Sequence, residues 1–207
     1  MKELMRKERI VEALKPYFEK LSGSGVFFWI AGGSVLSVIS NEKSRDVDLF
    51  FRSKEDCQKM KDYCKEKLGF EWVKGWATAT RLLSDEMEPW DFWFFPSHQE
   101  LTVSECISYF DFRVCAVAVS STGDLYYAKE TPQDFMEKKL VYTGNHYHLS
   151  NGRHSTCIKR LKQYLDRGYT LDNLDFWISE NNKRTPLING DNDWHPVQPT
   201  ELQIIRE

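Results

Sequence analysis

Apolar residues near the start of the chain recur at helical spacing: Ile10, Leu14, Tyr17, Phe18 and Leu21 share one face of a 3.6-residue period. The spacing predicts a helix there, with Pro16 as a kink or junction. The pattern then changes. Residues 26–31 form an unbroken apolar run that predicts a buried strand, Gly32 and Gly33 end it, and residues 34–39 predict a short helix. A polar loop at 41–45 separates this helix from a second predicted strand at 46–51. Ser53 stands where it can cap a third helix, with Asp56 at the third helical position. Cys57, Met60, Cys64 and Leu68 give that helix its apolar stripe, and Gly69 ends it. Runs at 70–74, 76–83 and 90–95 predict three more strands, the last two divided by a loop at 84–89.

A helix near 103–109 and a strand over 112–119 follow. Ser121, Thr122, Gly123 and Asp124 form a hairpin turn signal, and residues 125–127 return. Thr131 as cap, Pro132 in the first turn and acidic Asp134 predict a helix start. Residues 153–167 predict a basic amphipathic helix that stops at Gly168, and 170–180 predict another. From residue 181 the chain is polar and carries Pro186, Pro196 and Pro199, which predicts a tail with little regular structure.

Composition narrows the class. At 207 residues the chain suits one domain with an appendage or two small domains. A hydrophobic content of 41 %, with seven Trp and thirteen Phe, suffices for a core and argues against disorder. The formal charge of −3, from 28 basic and 31 acidic residues, excludes a generally basic nucleic-acid-binding chain; any basic surface must be local. The five cysteines form no Cys-x-x-Cys and no Cys/His cluster of zinc spacing, so they read as reduced thiols and favour a cytoplasmic setting. The charged N-terminus has no apolar segment of signal length, and no run approaches the ~18 apolar residues of a membrane span.

The chemistry concentrates at two places. Asp46 and Asp48 are two apart on a predicted strand, so their carboxylates share a face with roughly 6–7 Å between alpha carbons. Such a pair repels unless a cation lies between, and hard oxygen ligands suit magnesium or manganese. Gly32 and Gly33 let a ligand approach the backbone, while Ser34 offers a hydroxyl at a helix start whose free N–H groups favour phosphate. A phosphate seat beside paired carboxylates is what two-metal nucleotidyl transfer needs. A third carboxylate completes the clamp. Asp91, in the intensely apolar strand 90–95 where a lone charge is expensive, is the first choice, and Asp111 is its competitor.

The Gly-Gly-Ser of 32–34, eleven further residues and then Asp46, Val47, Asp48 and Leu49 resemble the signature of the DNA polymerase beta nucleotidyltransferase superfamily. The resemblance implies an α+β nucleotidyltransferase fold, with a mixed sheet flanked by helices and a small C-terminal helical segment. It places a core with its N-terminal helix at 1–128, a helical segment closing the nucleotide cleft at 129–180 and a tail at 181–207. It also implies that Gly32, Gly33 and Ser34 hold a nucleoside triphosphate and that Asp46, Asp48 and Asp91 bind two magnesium ions, with manganese as a substitute. Residues 110–118 are similar to the Arg-Asp-Phe-Thr strand of tRNA nucleotidyltransferases and poly(A) polymerases, and Arg160 to Tyr164 to the arginine-bearing helix that follows their head domain. Three positions depart from that pattern: Phe110 stands where the arginine is expected, and Ser155 and Thr156 stand where the base-choosing acidic pair is expected. The chain also resembles small nucleotidyltransferase-like proteins of phage and bacterial genomes.

In the basic run Arg153, Lys159, Arg160, Lys162 and Arg167, either Lys159 or Arg160 is expected to reach the triphosphate, against the plainer reading of a solvated helix face. Arg81 is a weaker candidate. Trp72, Trp76, Trp90 and Trp93 read first as packing, with base stacking as the alternative, and His146 and His148 read as loop residues. The expected acceptor is an RNA 3′ end of tRNA type. The alternatives are a protein or small-molecule hydroxyl, or a noncatalytic nucleotide- or RNA-binding module.

Overall fold

The computed structural model describes residues 6–42, 44, 46–75, 79–84, 87–94, 100–144, 154–182 and 202–207. Helix α1 (Lys7–Ser22) buries Ile10, Leu14 and Leu21, with Pro16 accommodated inside it. Strand β1 (Phe28–Ala31) is buried along its whole length, as its apolar run requires. Next come α2 (Gly33–Ser40), β2 (Val47–Phe51) and α3 (Lys54–Leu68). The last starts where Ser53 Oγ accepts the Asp56 N–H at 3.1 Å and ends at Gly69 in the left-handed region, φ +67°. Strands β3 (Glu71–Gly75), β4 (Ala79–Ser84) and β5 (Met87–Trp93) complete the first half.

The second half contains α4 (Val103–Ser108), β6 (Val117–Ser120), β7 (Leu125–Ala128), α5 (Thr131–Met136) and β8 (Lys139–Leu140). These are followed by α6 (His154–Asp166), β9 (Thr170–Leu171), α7 (Leu174–Asn182) and β10 (Ile204–Arg206). Among the described residues one eight-stranded sheet runs in the order β10-β7-β6-β1-β2-β5-β4-β3, and β8 pairs with β9 apart from it. The β2–β5 pairing is parallel, and the other pairings in the large sheet are antiparallel, so the sheet is mixed. The fold is therefore the α+β mixed sheet that the sequence predicts.

Three expectations need correction. The single strand expected over 112–119 is broken: Phe112 bridges Tyr142, Arg113–Cys115 forms a 3-10 turn, and β6 begins only at Val117. The cause lies outside the segment. The Arg113 guanidinium donates to both oxygens of Asp134 at 2.7 and 2.9 Å, and its backbone N–H donates to the Val141 carbonyl. Thr131 is not the cap of α5; Glu130 holds that position and the Thr131 hydroxyl donates to the Arg113 carbonyl at 2.8 Å. Finally, the end of the expected tail is a strand. Isoleucines 204 and 205 pair with Ala128 and Tyr127, and Arg206 reaches Asp124 at 3.1 Å. No helix among the described residues is long and apolar enough to cross a membrane.

Candidate active site

Alternation along β2 sets the site. Val47, Leu49 and Phe51 are buried on one face, while Asp46, Asp48 and Phe50 line a cleft of about 220 Å³ on the other. The parallel register sets Asp48 beside Asp91 and Phe50 beside Trp93, so Asp91 and Trp93 line the same cleft. Asp48 accepts a hydrogen bond from the Trp93 indole N–H at 2.9 Å. Burial raises the Asp48 carboxyl from 3.8 to about 7; the charge of Asp46 adds to the rise, the Trp93 N–H opposes it, Asp91 adds further and Arg160 opposes. Crowded carboxylates of this kind are the chemistry a divalent cation relieves. Among the described residues no three Asp, Glu, His or Cys groups form a ready-made metal cage. Magnesium tolerates this, because it binds through one or two carboxylates and completes its shell with water and substrate phosphate. The residues present therefore fit such an ion.

The glycine turn forms the opposite lip. Gly32 adopts φ +68°, donates its N–H to the Val117 carbonyl, and has the Phe110 ring 3.5 Å from where a Cβ would stand. At Gly33 that position is open, with no atom within 4 Å. Both glycines line the cleft at the start of α2, where first-turn N–H groups have no acceptor inside the helix. Ser34 is placed differently. It is buried, its hydroxyl accepts the Asp48 N–H at 3.0 Å and lies 3.3 Å from the Asp46 carbonyl, to which it donates. Its hydroxyl braces the aspartate strand against the glycine turn.

Helix α6 closes the third side through Arg160, Gln163 and Tyr164, with Arg167 in the turn just past its end. Arg160 Nη1 donates to Asp111 Oδ2 at 2.7 Å, while Asp111 Oδ1 is buried with no hydrogen-bond partner. The Asp111 charge pushes the Arg160 guanidinium pKa still higher, against the opposing effect of burial. Arg167 approaches Glu42 at 3.8 Å and lies 5.9 Å from the Tyr164 ring. The Tyr164 hydroxyl and the Cys115 thiol are 2.9 Å apart, and burial drives the thiol up to about 12. Such a thiol stays protonated and inert.

The structure thus gathers Gly32, Gly33, Asp46, Asp48, Asp91 and Arg160 around one cleft. Lys159 is exposed and does not line it. Asp111 lines it too, engaged by Arg160, whereas Asp91 is the carboxylate set beside Asp48. Cys57, Cys64, Cys106 and Cys115 are free thiols. Arg153, His146, His148 and Trp76 lie outside the described residues. Sequence names Trp93 as packing, with base stacking as the alternative, and Arg167 as a member of the basic run; the cleft takes in both. Trp93 is two residues past Asp91 on a strand, and Arg167 follows the last residue of the helix that carries Arg160.

The fold is shared with CCA-adding enzymes. The Thermotoga maritima CCA-adding enzyme complexed with tRNA superposes with a TM-score of 0.60 at 17 % identity, covering 78 % of this chain and 40 % of that one. The apo form of a CCA-adding enzyme gives 0.64 at 17 %, covering 85 % and 44 %. A CCA-adding enzyme in complex with ATP gives 0.60 at 18 %, covering 81 % and 41 %. This chain therefore spans less than half the length of these neighbours, and at such identity the likeness shows the fold. No curated protein matches the sequence. The family model that matches, over residues 5–205, is that of the Gabija anti-defense 2 (Gad2) proteins, and the chain belongs to this family.

Proposed function

We propose that the chain is a metal-dependent nucleotidyltransferase, moving a nucleoside monophosphate from a nucleoside triphosphate to an acceptor hydroxyl. The observation that carries this reading is the meeting of a glycine turn and three same-face aspartates, Asp46, Asp48 and Asp91, in one cleft. Gly32 and Gly33 let the triphosphate approach the start of α2, and Arg160, with Arg167 beside it, offsets its charge. Ser34 acts by holding the aspartate strand rather than by touching phosphate. Two magnesium ions on Asp46, Asp48 and Asp91 would neutralise the phosphates and activate the acceptor oxygen. Asp91 orients the acceptor hydroxyl and takes its proton as that oxygen bonds to the alpha phosphorus and pyrophosphate departs. Positioning and charge stabilisation supply most of the rate.

An RNA 3′ end is the first acceptor, supported by the fold shared with enzymes whose structures contain tRNA. A protein hydroxyl is the second, supported by the family's anti-defense description, which fits a phage-encoded protein acting on a component of host defence in the cytoplasm. The test incubates the full chain with each alpha-labelled triphosphate, magnesium and host cell extract. Label in RNA supports the first acceptor and label in protein the second. Both must vanish in Asp46→Ala/Asp48→Ala. Absence of label with all four triphosphates overturns the enzyme reading, and an anti-defence effect surviving the double substitution supports a binding module instead.

A further inference from the structure

Trp93 contacts the site through a single polar atom. Its indole N–H donates to Asp48 Oδ1 at 2.9 Å, from the strand position two past Asp91. The ring is fixed from behind: it stacks on Phe50 with centroids 6.3 Å apart and planes 18° from parallel. Phe50 in turn meets Phe110 edge-on at 5.7 Å, and Phe110 packs against Gly32. An aromatic floor therefore runs from the Asp48 carboxylate to the glycine turn, and Trp93 has little freedom to release the oxygen it holds.

We propose that Trp93 is a positioning residue whose N–H engages one oxygen of Asp48 and so biases this carboxylate toward meeting a divalent cation through its other oxygen, which favours magnesium over calcium. The proposal rests on the reading of Asp48 as a metal ligand. Its physical basis is the difference between the two ions. Magnesium takes one oxygen per carboxylate at about 2.0–2.1 Å in a strict octahedron, whereas calcium accepts six to eight oxygens and often both from one carboxylate. An N–H fixed on Oδ1 takes one of that oxygen's two lone pairs and holds its orientation, which disfavours the two-oxygen mode. It also keeps the carboxylate plane from turning, as partners of metal-ligating side chains generally do.

The experiment measures Mn²⁺ binding to the full chain by paramagnetic resonance, with displacement by Mg²⁺ or by Ca²⁺. Trp93→Phe keeps a ring over Phe50 and removes the donor. A second variant carrying 3-benzothienylalanine at position 93 keeps the two-ring outline, with sulfur in place of N–H. Trp90→Phe is the control, since the Trp90 N–H is on the opposite face of β5, buried and without a hydrogen-bond partner. Both changes at 93 should weaken Mn²⁺ and Mg²⁺ roughly tenfold while leaving or improving Ca²⁺, and Trp90→Phe should not alter the ratio. An unchanged ratio in the benzothienyl variant overturns the proposal. So does an equal shift in Trp90→Phe, which would make the effect one of packing. A wild-type chain that binds no Mn²⁺ fails earlier and removes the metal reading itself.

Discussion

Two arginine–aspartate pairs close the ends of the 110–113 segment, and they differ in completeness. Arg113 grips Asp134 with two parallel hydrogen bonds, and the Arg113 carbonyl takes the Thr131 hydroxyl as well. Arg160 gives Asp111 one bond at 2.7 Å and leaves Oδ1 buried without a partner. Burial does not explain the difference, because the two aspartate side chains are 3 % and 4 % exposed. What differs is the surroundings: Asp134 belongs to α5 and is bound to Arg113 of the 3-10 turn, whereas Asp111 lines the cleft. A buried carboxylate left half satisfied is costly, and proteins keep such costs mainly where a ligand completes the set. The first pair sets the chain path; the second leaves one buried carboxylate oxygen without a hydrogen-bond partner among the described residues, at the wall of the cleft.

The largest effect should come from breaking the complete pair. Arg113→Ala strands the Asp134 charge in the interior and should cost about 3–5 kcal/mol, read by denaturant unfolding. A loss under 1 kcal/mol would mean that the bidentate contact does not hold the 3-10 turn. The incomplete pair should respond far less. Asp111→Asn keeps the volume, removes a half-paired charge and should change stability by less than about 1 kcal/mol. Transfer activity should nonetheless fall about a hundredfold, as for other single positioned polar groups in active sites. Equal stability losses in Asp111→Asn and Asp134→Asn would erase the distinction between the pairs.

The aspartate cluster extends the comparison to like charges. With the Asp48 carboxyl at about 7 in the fold against 3.8 ordinarily, the metal-free folded state holds the proton more tightly than the unfolded chain. Its stability contribution is therefore complete below about pH 4, is lost as pH rises to about 7, and is level above. Asp48→Asn has no proton to lose and can still accept the Trp93 N–H. At pH 8 without metal it should be more stable than wild type by about 1 kcal/mol, or roughly 2–4 °C in Tm for a chain of this size. Magnesium should stabilise the wild type and not the variant. A variant less stable than wild type at pH 8 would show that Asp48 repulsion is already relieved in the metal-free fold.

What could be read from sequence follows the range of the forces involved. The Gly32 turn, the Ser53 cap and the shared face of Asp46 and Asp48 depend on neighbours a few residues away, and periodicity exposes them. The break at 113–115 depends on Asp134, twenty-one residues after Arg113, and the unbroken apolar run from Val114 to Val119 carries nothing to mark the bend. Strand β10 was hidden by the polar, proline-bearing stretch before it, and its partner β7 lies almost eighty residues upstream. The apolar context of Asp91 already puts it ahead of Asp111 in the sequence, whereas the parallel register of β2 with β5 that sets it beside Asp48 is encoded by no local pattern. Ser34 was assigned to phosphate by its residue type, while its actual partners belong to the strand 12 and 14 residues later.

The smallest expected effect is also the sharpest check on the basic helix. Lys159 and Arg160 are adjacent, equal in formal charge and indistinguishable by composition. Consecutive helical residues point about 100° apart, so only one of them can face the cleft. Arg160 does, through its bond to Asp111, while Lys159 stands in solvent. An exposed lysine contributes to the site only through a screened field that salt suppresses within about 10 Å. Lys159→Ala should therefore alter stability by no more than about 0.5 kcal/mol and transfer kcat/KM by no more than about twofold at 0.15 M salt. Arg160→Ala measured alongside should lose far more, because it unpairs Asp111 as well as removing charge from the cleft. If the two substitutions weaken triphosphate binding equally, the helix acts as a general basic surface, and the specific geometry around Asp111 is not what recognises the nucleotide.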